Sequence, residues 1–194
     1  MSNLLYKYLD INGAIMMLHH SNLMYANAAT FNDPFDCHPN LIDFSKVPSE
    51  KCKIWDAKVI EDLESNRYIN NRNDLWICCL SKVYDSLLMW SYYNKHMGVC
   101  IGINMEYVKK YIHVGYGMVV TTQGQEVDYR DIIKKPDYFR DYKDFFNYQI
   151  FTKAKAWEHE QEVRLYIFKP SPMFMALLPF QQDKNELNWK EVRS

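Results

Sequence analysis

The stretch KAKAWEHEQEVRLYIF, residues 153–168, decides how the rest of the chain is interpreted. Charged residues occupy every second position from Glu158 to Arg164, and successive side chains of a β-strand point to opposite faces of the sheet. The pattern therefore predicts a strand with one charged face, formed by Glu158, Glu160, Glu162 and Arg164. Carboxyl groups crowded on one face raise one another's pKa, and such groups bind a cation or stabilise developing positive charge.

The first half of this stretch also fits the end of a helix. Glu158 and Glu162 are four residues apart, and Lys155 lies three residues before Glu158. These are the spacings of ion pairs on a helix surface. On this alternative the carboxylates are ordinary surface groups.

Length and composition are typical of one globular domain. The chain has 194 residues, of which 48% are hydrophobic, with only 6 Gly and 7 Pro. This length is enough for one well-buried domain and short for two. We expect a single domain over residues 1–194, with a core at about 4–168 and a C-terminal extension at about 169–194.

Net charge and cysteine spacing exclude several classes of protein. A formal net charge of −1 argues against a strong positive field for nucleic acid, although a local basic patch is compatible with it. The five cysteines form no CxxC pair and the histidines lack ligand spacing, so neither a disulfide framework nor a zinc site is predicted. With no signal peptide and no apolar run of about 18 residues, we expect a cytoplasmic protein that does not enter the membrane.

Hydrophobic periodicity predicts an α+β fold of two small sheets with helices between them. Strands are predicted at residues 4–8, 23–26, 75–81, 98–103, 118–122 and 125–129. Helices are predicted at residues 10–20, 49–65, 86–93, 105–111 and 138–151. The strand at 75–81 is almost continuously apolar, which indicates a central strand covered on both faces. Residues 173–178, MFMALL, form either a last strand or an apolar segment that needs a partner.

The sequence TFNDPFD, residues 30–36, is typical of a turn. Asn and Asp hydrogen-bond their own backbone, and Pro34 fixes φ. Phe31 and Phe35 bracket the turn, so packing can hold Asn32, Asp33 and Asp36 at the edge of a cleft. A plain packed turn fits the same residues equally well.

Three classes of function remain open from the residues alone. The first is an enzyme in which Glu160 and Glu162 stabilise the cationic transition state of N-glycosidic bond cleavage. The second is a divalent-metal nuclease in which Asp33 or Asp36 joins these glutamates, although no lysine stands between them in the sequence. The third is a nucleotide-binding module without catalysis, which uses its aromatic rings for stacking.

Seven short motifs occur in the same order in a large bacterial family of domains of unknown function, which this chain resembles over residues 4–168. They are LYKY (5–8), FNDPFD (31–36), CLS (79–81), MWSYY (89–93), GVCIGI (98–103), VDY (127–129) and WxxExExR (157–164). That family in turn resembles the ADP-ribosyltransferases, whose fold is a split β-sandwich that binds NAD in the cleft between two small sheets. The resemblance implies this fold and NAD as co-substrate.

The resemblance also implies roles for individual residues. A basic or His residue on the first strand and a Ser on a central strand contact the dinucleotide in those enzymes, and a Glu-x-Glu strand carries catalysis. Glu162 is then expected to hold the nicotinamide ribose hydroxyl, and Glu160 to orient or deprotonate the acceptor. The expected NAD-contacting residues are Tyr6, Lys7, Tyr8, Asn32, Asp33, Ser81, Trp90 and Tyr93. The first strand here has no Arg or His, and Ser81 lacks the usual Ser-Thr-Ser context.

The WxxExExR spacing gives the three glutamates different roles, although the alternating pattern places all three on one face. Glu158 is assigned to the end of the preceding helix, while Glu160 and Glu162 form the functional pair, with Arg164 as their charge partner.

The resemblance implies a mono-ADP-ribosyltransferase acting as a toxin or phage-defence effector on nucleic acid (RNA or DNA) or protein. The 15 Tyr, 10 Phe and 5 Trp and a local group of basic residues favour nucleic acid. The basic residues are Lys134, Lys135, Arg140, Lys143, Lys153 and Lys155. A toxin also requires an antitoxin or other neutralising protein, for which residues 173–178 are a candidate docking site.

Overall fold

A computed structural model describes residues 4–53, 55–64, 72–108, 119–120 and 124–168. The strands are β1 (Leu4–Leu9), β2 (Ala26–Asn27), β3 (Leu75–Ser81), β4 (Val99–Asn104), β5 (Val119–Val120), β6 (Gln125–Glu126), β7 (Asp128–Arg130), β8 (Thr152–Ala154) and β9 (Glu162–Phe168). The α-helices are α1 (Ile11–His20), α2 (Ala57–Glu64), α3 (Leu87–Asn94), α4 (Met105–Val108) and α5 (Tyr138–Phe151). The predicted α+β class is therefore confirmed.

One antiparallel sheet contains seven of these strands. Its order is β4-β1-β3-β9-β5, with β2 also paired to β3 and β6 also paired to β9. A separate parallel pair joins β7 to β8. The arrangement differs from the predicted pair of small sheets, because β3 and β9 pair along their whole length and make the main sheet continuous.

β3 occupies the centre of the sheet, as its apolar sequence predicted. One face of the strand carries Leu75 and Ile77, which pack in a cluster with β9, α5 and the loop after residue 31. The opposite face carries Cys78 and Leu80, which pack with Leu165 and the β4–α4 corner. Both faces of β3 are thus covered, and the second prediction about this strand is also confirmed.

Side-chain caps fix the two helices that flank the carboxylates. Asp137 accepts a hydrogen bond from the backbone of Phe139 and begins α5, which spans the residues that its periodicity predicted. Ser86 caps α3 in the same way through Met89. Met89 is buried and Leu88 is exposed, so the first of these two side chains faces the core.

Some element boundaries differ from the predictions. The expected strand at 23–26 is displaced to β2, and the expected helix at 49–65 consists of a 3₁₀ turn at Ser49–Lys51 followed by α2. The break arises at Asp56, whose side chain accepts from the backbone of Val59 and caps the new helix. The expected strand at 125–129 divides at Val127, whose backbone N–H donates to Glu162.

Several predictions lie outside the described residues: parts of the helix at 105–111 and of the strand at 118–122, and all of residues 169–194 with the segment 173–178. No helix within the described part of the chain has the length and apolar character needed to cross a membrane.

Candidate active site

A change in backbone direction, rather than a single strand, brings Glu160 and Glu162 together. Lys155–Glu160 form a 3₁₀ helix, and β9 begins only at Glu162. Between them Gln161 has a left-handed backbone with φ 42°, which is uncommon for a residue other than glycine. The prediction of one strand over the stretch is therefore wrong for its first half. Both carboxylates are buried and Glu158 is exposed, which agrees with the assignment of Glu158 to a helix end.

Hydrogen bonds from neighbouring elements hold the backbone of the two glutamates. The hydroxyl of Ser81, at the end of β3, donates to the carbonyl of Glu160 at 2.7 Å. The backbone N–H of Glu162 donates to the hydroxyl of Tyr129 at 2.9 Å, so β7 is tied to the start of β9. The positions of both glutamates are therefore set by strands that the core fixes.

Arg164 is completely buried and joins three elements. Its Nε and Nη2 donate to the two carboxylate oxygens of Glu162 at 2.8 and 2.9 Å. Its Nη1 and Nη2 donate to the two oxygens of Asp36 at 2.8 and 2.6 Å, and Nη1 also donates to the carbonyl of Ile150 at 2.5 Å. Burial alone lowers the pKa of an arginine, but Glu162 and Asp36 raise the pKa of Arg164 well above its ordinary value. The guanidinium therefore stays charged.

Lys153, on β8, is the second buried cation. Its Nζ donates to Glu160 at 2.5 Å and to Glu162 at 3.4 Å, and it lies 3.6 Å from Asp36. It also lies 4.8 Å from the ring centre of Trp157, a cation–π contact. The prediction that Lys153 contributes to a basic surface for nucleic acid is wrong, because only 4% of its side chain is exposed.

The environment shifts the pKa values of the two glutamates in opposite directions. Burial raises the pKa of Glu160, and the charge of Lys153 only partly opposes this effect. Burial also acts on Glu162, but Arg164 and Lys153 outweigh it and lower its pKa to about 2. Glu162 is therefore an anion at neutral pH, while Glu160 is the glutamate of the pair whose pKa is raised.

A small cavity opens beside these carboxylates. Its volume is ≈ 50 Å³, and its walls are formed by Tyr6, Lys7, Tyr8, Cys79, Leu80, Ser81, Met89, Tyr93, Glu160 and Glu162. A cavity of this size has room for a few water molecules, whereas sites for drug-sized ligands enclose about 300–1,000 Å³. Seven of the ten predicted site residues line this one cavity, and they come from β1, β3, α3 and the charged stretch.

Lys7 lies where β1 and β3 separate. The two strands are paired only at Tyr6 and Ser81. The ammonium of Lys7 donates to the carbonyl of Cys79 at 2.9 Å, and 8% of the residue is exposed. Among the described residues no carboxylate forms an ion pair with it, so it is a cation with donors left for an anionic or polar ligand.

Aromatic residues form the mouth of the cavity. The hydroxyl of Tyr93 donates to Glu160 at 2.5 Å while 42% of the residue is exposed. Tyr8 donates to the carbonyl of Val83 at 3.1 Å, and burial raises its pKa to about 12. Tyr6 packs against Tyr84, with ring centres 5.2 Å apart. These contacts place three of the predicted aromatic residues at the site.

The remaining predicted residues lie apart from the cavity walls. Trp90 donates its indole N–H to the carbonyl of Tyr84 and packs edge-on against Tyr8. Asn32 accepts a hydrogen bond from the backbone N–H of Asp33 at 3.0 Å, and Asp33 accepts one from the backbone N–H of Phe35 at 2.9 Å. From this turn Asp36 joins the charged cluster through an ion pair with Arg164, whose guanidinium also lies 5.8 Å from the ring centre of Phe31.

Comparison with models of known protein families, with curated proteins and with solved structures finds no match to this chain. What the site can do must therefore be inferred from its own side chains.

The described carboxylates do not form a metal site. No group of three or more His, Cys, Asp or Glu side chains suited to a metal ion occurs in the described ranges. Asp36, Glu160 and Glu162 instead direct their oxygens at Lys153 and Arg164. A divalent cation would have to displace two buried ammonium or guanidinium groups, so the nuclease alternative gains no support from the geometry.

Proposed function

We propose that this protein is an NAD-dependent mono-ADP-ribosyltransferase with Glu162 and Glu160 as its catalytic residues. The observation that carries the proposal is the Glu162 carboxylate: it is buried, its pKa is lowered to about 2, and Arg164 holds both of its oxygens. A preorganised anion of this kind stabilises positive charge that develops on a ribose as its N-glycosidic bond breaks. A carboxylate that also accepts from the ribose 2-hydroxyl strengthens this effect.

The proposed reaction breaks the bond between ribose C1′ and the nicotinamide nitrogen of NAD⁺. The bonding electrons leave with nicotinamide, which departs as a neutral molecule, and an acceptor nucleophile forms the new bond to C1′. The proton lost by the acceptor passes to the carboxylate of Glu160, whose raised pKa makes it the stronger base of the two glutamates. Lys153 and Tyr93 hold that carboxylate in place through its two oxygens.

The cavity supports a binding site for part of NAD⁺ only. Its ≈ 50 Å³ is too small for a dinucleotide. We assign the enclosed part to the reacting end and expect Tyr93 to move on binding, because it is both a wall of the cavity and 42% exposed. Lys7 supplies a buried cation for an oxygen of the ligand.

The proposal extends to the fold and to the acceptor. The separation of β1 from β3, which begins after Tyr6 in β1 and before Ser81 in the antiparallel β3, supports an ADP-ribosyltransferase-like arrangement in which the co-substrate enters between strands. We propose a macromolecular acceptor in a toxin or phage-defence setting, with nucleic acid favoured by the exposed Lys134, Lys135 and Arg140. The predicted antitoxin is part of the same proposal.

The first test is transfer of label. The purified protein is incubated with NAD⁺ labelled in the adenylate moiety and with cell lysate, and separate samples are digested with nuclease or protease. We expect macromolecule-bound label, and the treatment that removes it names the acceptor class. Cleavage of nucleic acid that needs Mg²⁺ but no NAD⁺ would instead support the nuclease, and saturable nucleotide binding without turnover would support a binding module.

The second test is substitution of the carboxylate itself. Glu162→Gln keeps the size of the side chain but removes the charge, and we expect transfer to fall by about 10²- to 10³-fold, the usual effect of losing one preorganised electrostatic group. Glu158→Gln is the matched control, because that glutamate is exposed and lies in the same stretch. Parent-like transfer by Glu162→Gln would exclude the proposed mechanism.

A further inference from the structure

Asp36 stands at the end of the turn 31–36 and is almost completely buried. Only 3% of the residue is exposed, and both of its carboxylate oxygens accept from Arg164. The two residues are separated by 128 positions in the chain, so the contact ties this turn directly to β9. A bidentate pair between arginine and a carboxylate fixes the plane of the guanidinium as well as its position.

The same guanidinium fixes Glu162. Nη2 of Arg164 donates to Asp36 at 2.6 Å and to Glu162 at 2.9 Å, so the two carboxylates are held by adjacent edges of one rigid group that share this nitrogen. Lys153 lies near both as well, at 3.6 Å from Asp36 and 3.4 Å from Glu162. Each cation that pairs with Glu162 therefore also pairs with Asp36.

The backbone next to Asp36 is held in an uncommon conformation. Cys37 has a φ of 55°, in the left-handed region that residues other than glycine seldom adopt. Its carbonyl accepts from the side chain of Gln149 at 2.7 Å, and Cys37 itself is fully buried against α5. Strained backbone of this type persists where the surrounding structure over-determines it, and it recurs at functional sites. Here the Cys37 thiol lies against both members of the ion pair, since it donates to Asp36 at 3.3 Å and accepts from Nη1 of Arg164 at 3.4 Å.

We infer that Asp36 is a positioning residue, which sets the orientation of the Glu162 carboxylate through Arg164. Its consequence for catalysis rests on the proposed function, whereas its effect on the geometry of Glu162 does not. Asp36 does not line the cavity, so its loss is expected to change the chemical step rather than co-substrate binding.

The kinetic test compares Asp36→Asn with Glu158→Gln. Asp36→Asn keeps the shape but removes the charge and one acceptor oxygen, and we expect kcat per folded molecule to fall by about 10²-fold, the scale of an ångström-level misplacement of a catalytic group. The KM for NAD⁺ should change by less than about threefold, because uniform binding is kept. Glu158→Gln removes a charge at an exposed position that does not line the cavity and should leave both constants near those of the parent. Asp36→Glu restores the charge and should recover part of kcat.

The structural test needs no turnover. A crystal structure of Asp36→Asn should show the Glu162 carboxylate rotated away from Arg164; if this variant does not fold, the same measurement on Asp36→Glu decides. An unmoved Glu162, or a loss of activity that the unfolded fraction fully explains, would overturn the inference. A displaced Glu162 in a chain whose parent consumes no NAD⁺ would leave the positioning role standing and reject the proposed function.

Discussion

At the scale of single residues, the pKa values of Glu160 and Glu162 shift in opposite directions, although the two glutamates are only two positions apart. Two nitrogens of Arg164 donate hydrogen bonds to Glu162, whereas Glu160 accepts hydrogen bonds from the ammonium of Lys153 and from the hydroxyl of Tyr93. Burial raises the pKa of both carboxyl groups, but only at Glu160 does this effect exceed the opposing effect of the neighbouring cation. The contact with the guanidinium is therefore what separates the pKa values of the pair.

The lowered pKa of Glu162 predicts acid sensitivity of the fold. A group whose pKa falls from 4.5 to about 2 on folding contributes stability that is present above pH 4.5 and is lost as the pH falls towards 2. The full contribution is on the order of 3 kcal/mol, because one pKa unit corresponds to about 1.4 kcal/mol. Urea unfolding of the parent between pH 5 and pH 2 should show this loss.

Two variants isolate that contribution. Glu162→Gln should lack this part of the pH dependence, while Glu158→Gln, at an exposed position, should keep it. Glu160 acts in the opposite direction: because its pKa is raised on folding, protonation of Glu160 adds stability as the pH falls. An equal slope below pH 4.5 in the parent and in Glu162→Gln would contradict the ionised, paired state of Glu162.

Local sequence pattern accounts for only part of the charged cluster. The spacing of Glu160, Glu162 and Arg164 is a short-range feature, so their proximity could be predicted. Asp36 was joined to the glutamates only as a metal ligand, and its ion pair with Arg164 could not be predicted because the two residues are 128 positions apart. The role of Lys153 could not be predicted either, because no sequence pattern distinguishes this buried lysine from a surface lysine. Such contacts depend on which elements the whole fold brings together.

At the scale of elements, β3 and the start of β9 determine where the carboxylates lie. Ser81 is opposite Glu162 and Cys79 is opposite Arg164 in the antiparallel register. The apolar run of β3 predicted a central strand, because continuous burial leaves a clear sequence pattern. A helix end was predicted only as an alternative for the first half of the charged stretch, and its extent to Glu160 was not predicted, because it ends at Gln161 in a left-handed conformation, where glycine or asparagine would be the usual marker.

Close packing of the loop before β6 against β9 predicts a specific sensitivity at Gly124. A Cβ at this position would lie 2.6 Å from Cγ1 of Val163, a buried and β-branched side chain that has little freedom to move. Gly124→Ala should therefore lower the free energy of unfolding by about 1–3 kcal/mol, the usual cost of overpacking. Urea unfolding at neutral pH measures it.

Gly102, on β4, provides the matched control for this change. A Cβ there would meet its nearest atom, in the ring of Tyr6, at 3.4 Å, which is an ordinary contact. Gly102→Ala should leave the free energy of unfolding unchanged or raise it by up to about 1 kcal/mol, since it removes freedom from the unfolded chain. Combining Gly124→Ala with Val163→Ala should cost less than the sum of the two, because the shorter side chain makes room.

At the scale of the whole molecule, the sheet divides the apolar core into two clusters, and the ion cluster lies on the face that also carries Leu75 and Ile77. Fully buried charges are stable only when they are paired and hydrogen-bonded. Here five charged side chains from the turn 31–36, β8, β9 and the 3₁₀ helix satisfy one another. The site is thus part of the core, and its geometry depends on the packing of the entire face.

This organisation predicts an uneven distribution of local stability. β3 and β9 form the most buried part of the sheet, with Ile77, Cys78 and Leu165 fully inaccessible, so their amides should exchange with solvent only when the whole chain unfolds. In α1 only Ala14 is buried, while Ile15 and Leu18 are exposed, so this helix should open locally and exchange orders of magnitude faster. Hydrogen exchange followed by mass spectrometry at neutral pH distinguishes the two. Exchange of the α1 amides as slow as that of the β3 amides would contradict this prediction. The apolar side chains of α1 would then have to be covered in solution by a surface outside the described residues, so the core would extend beyond the sheet.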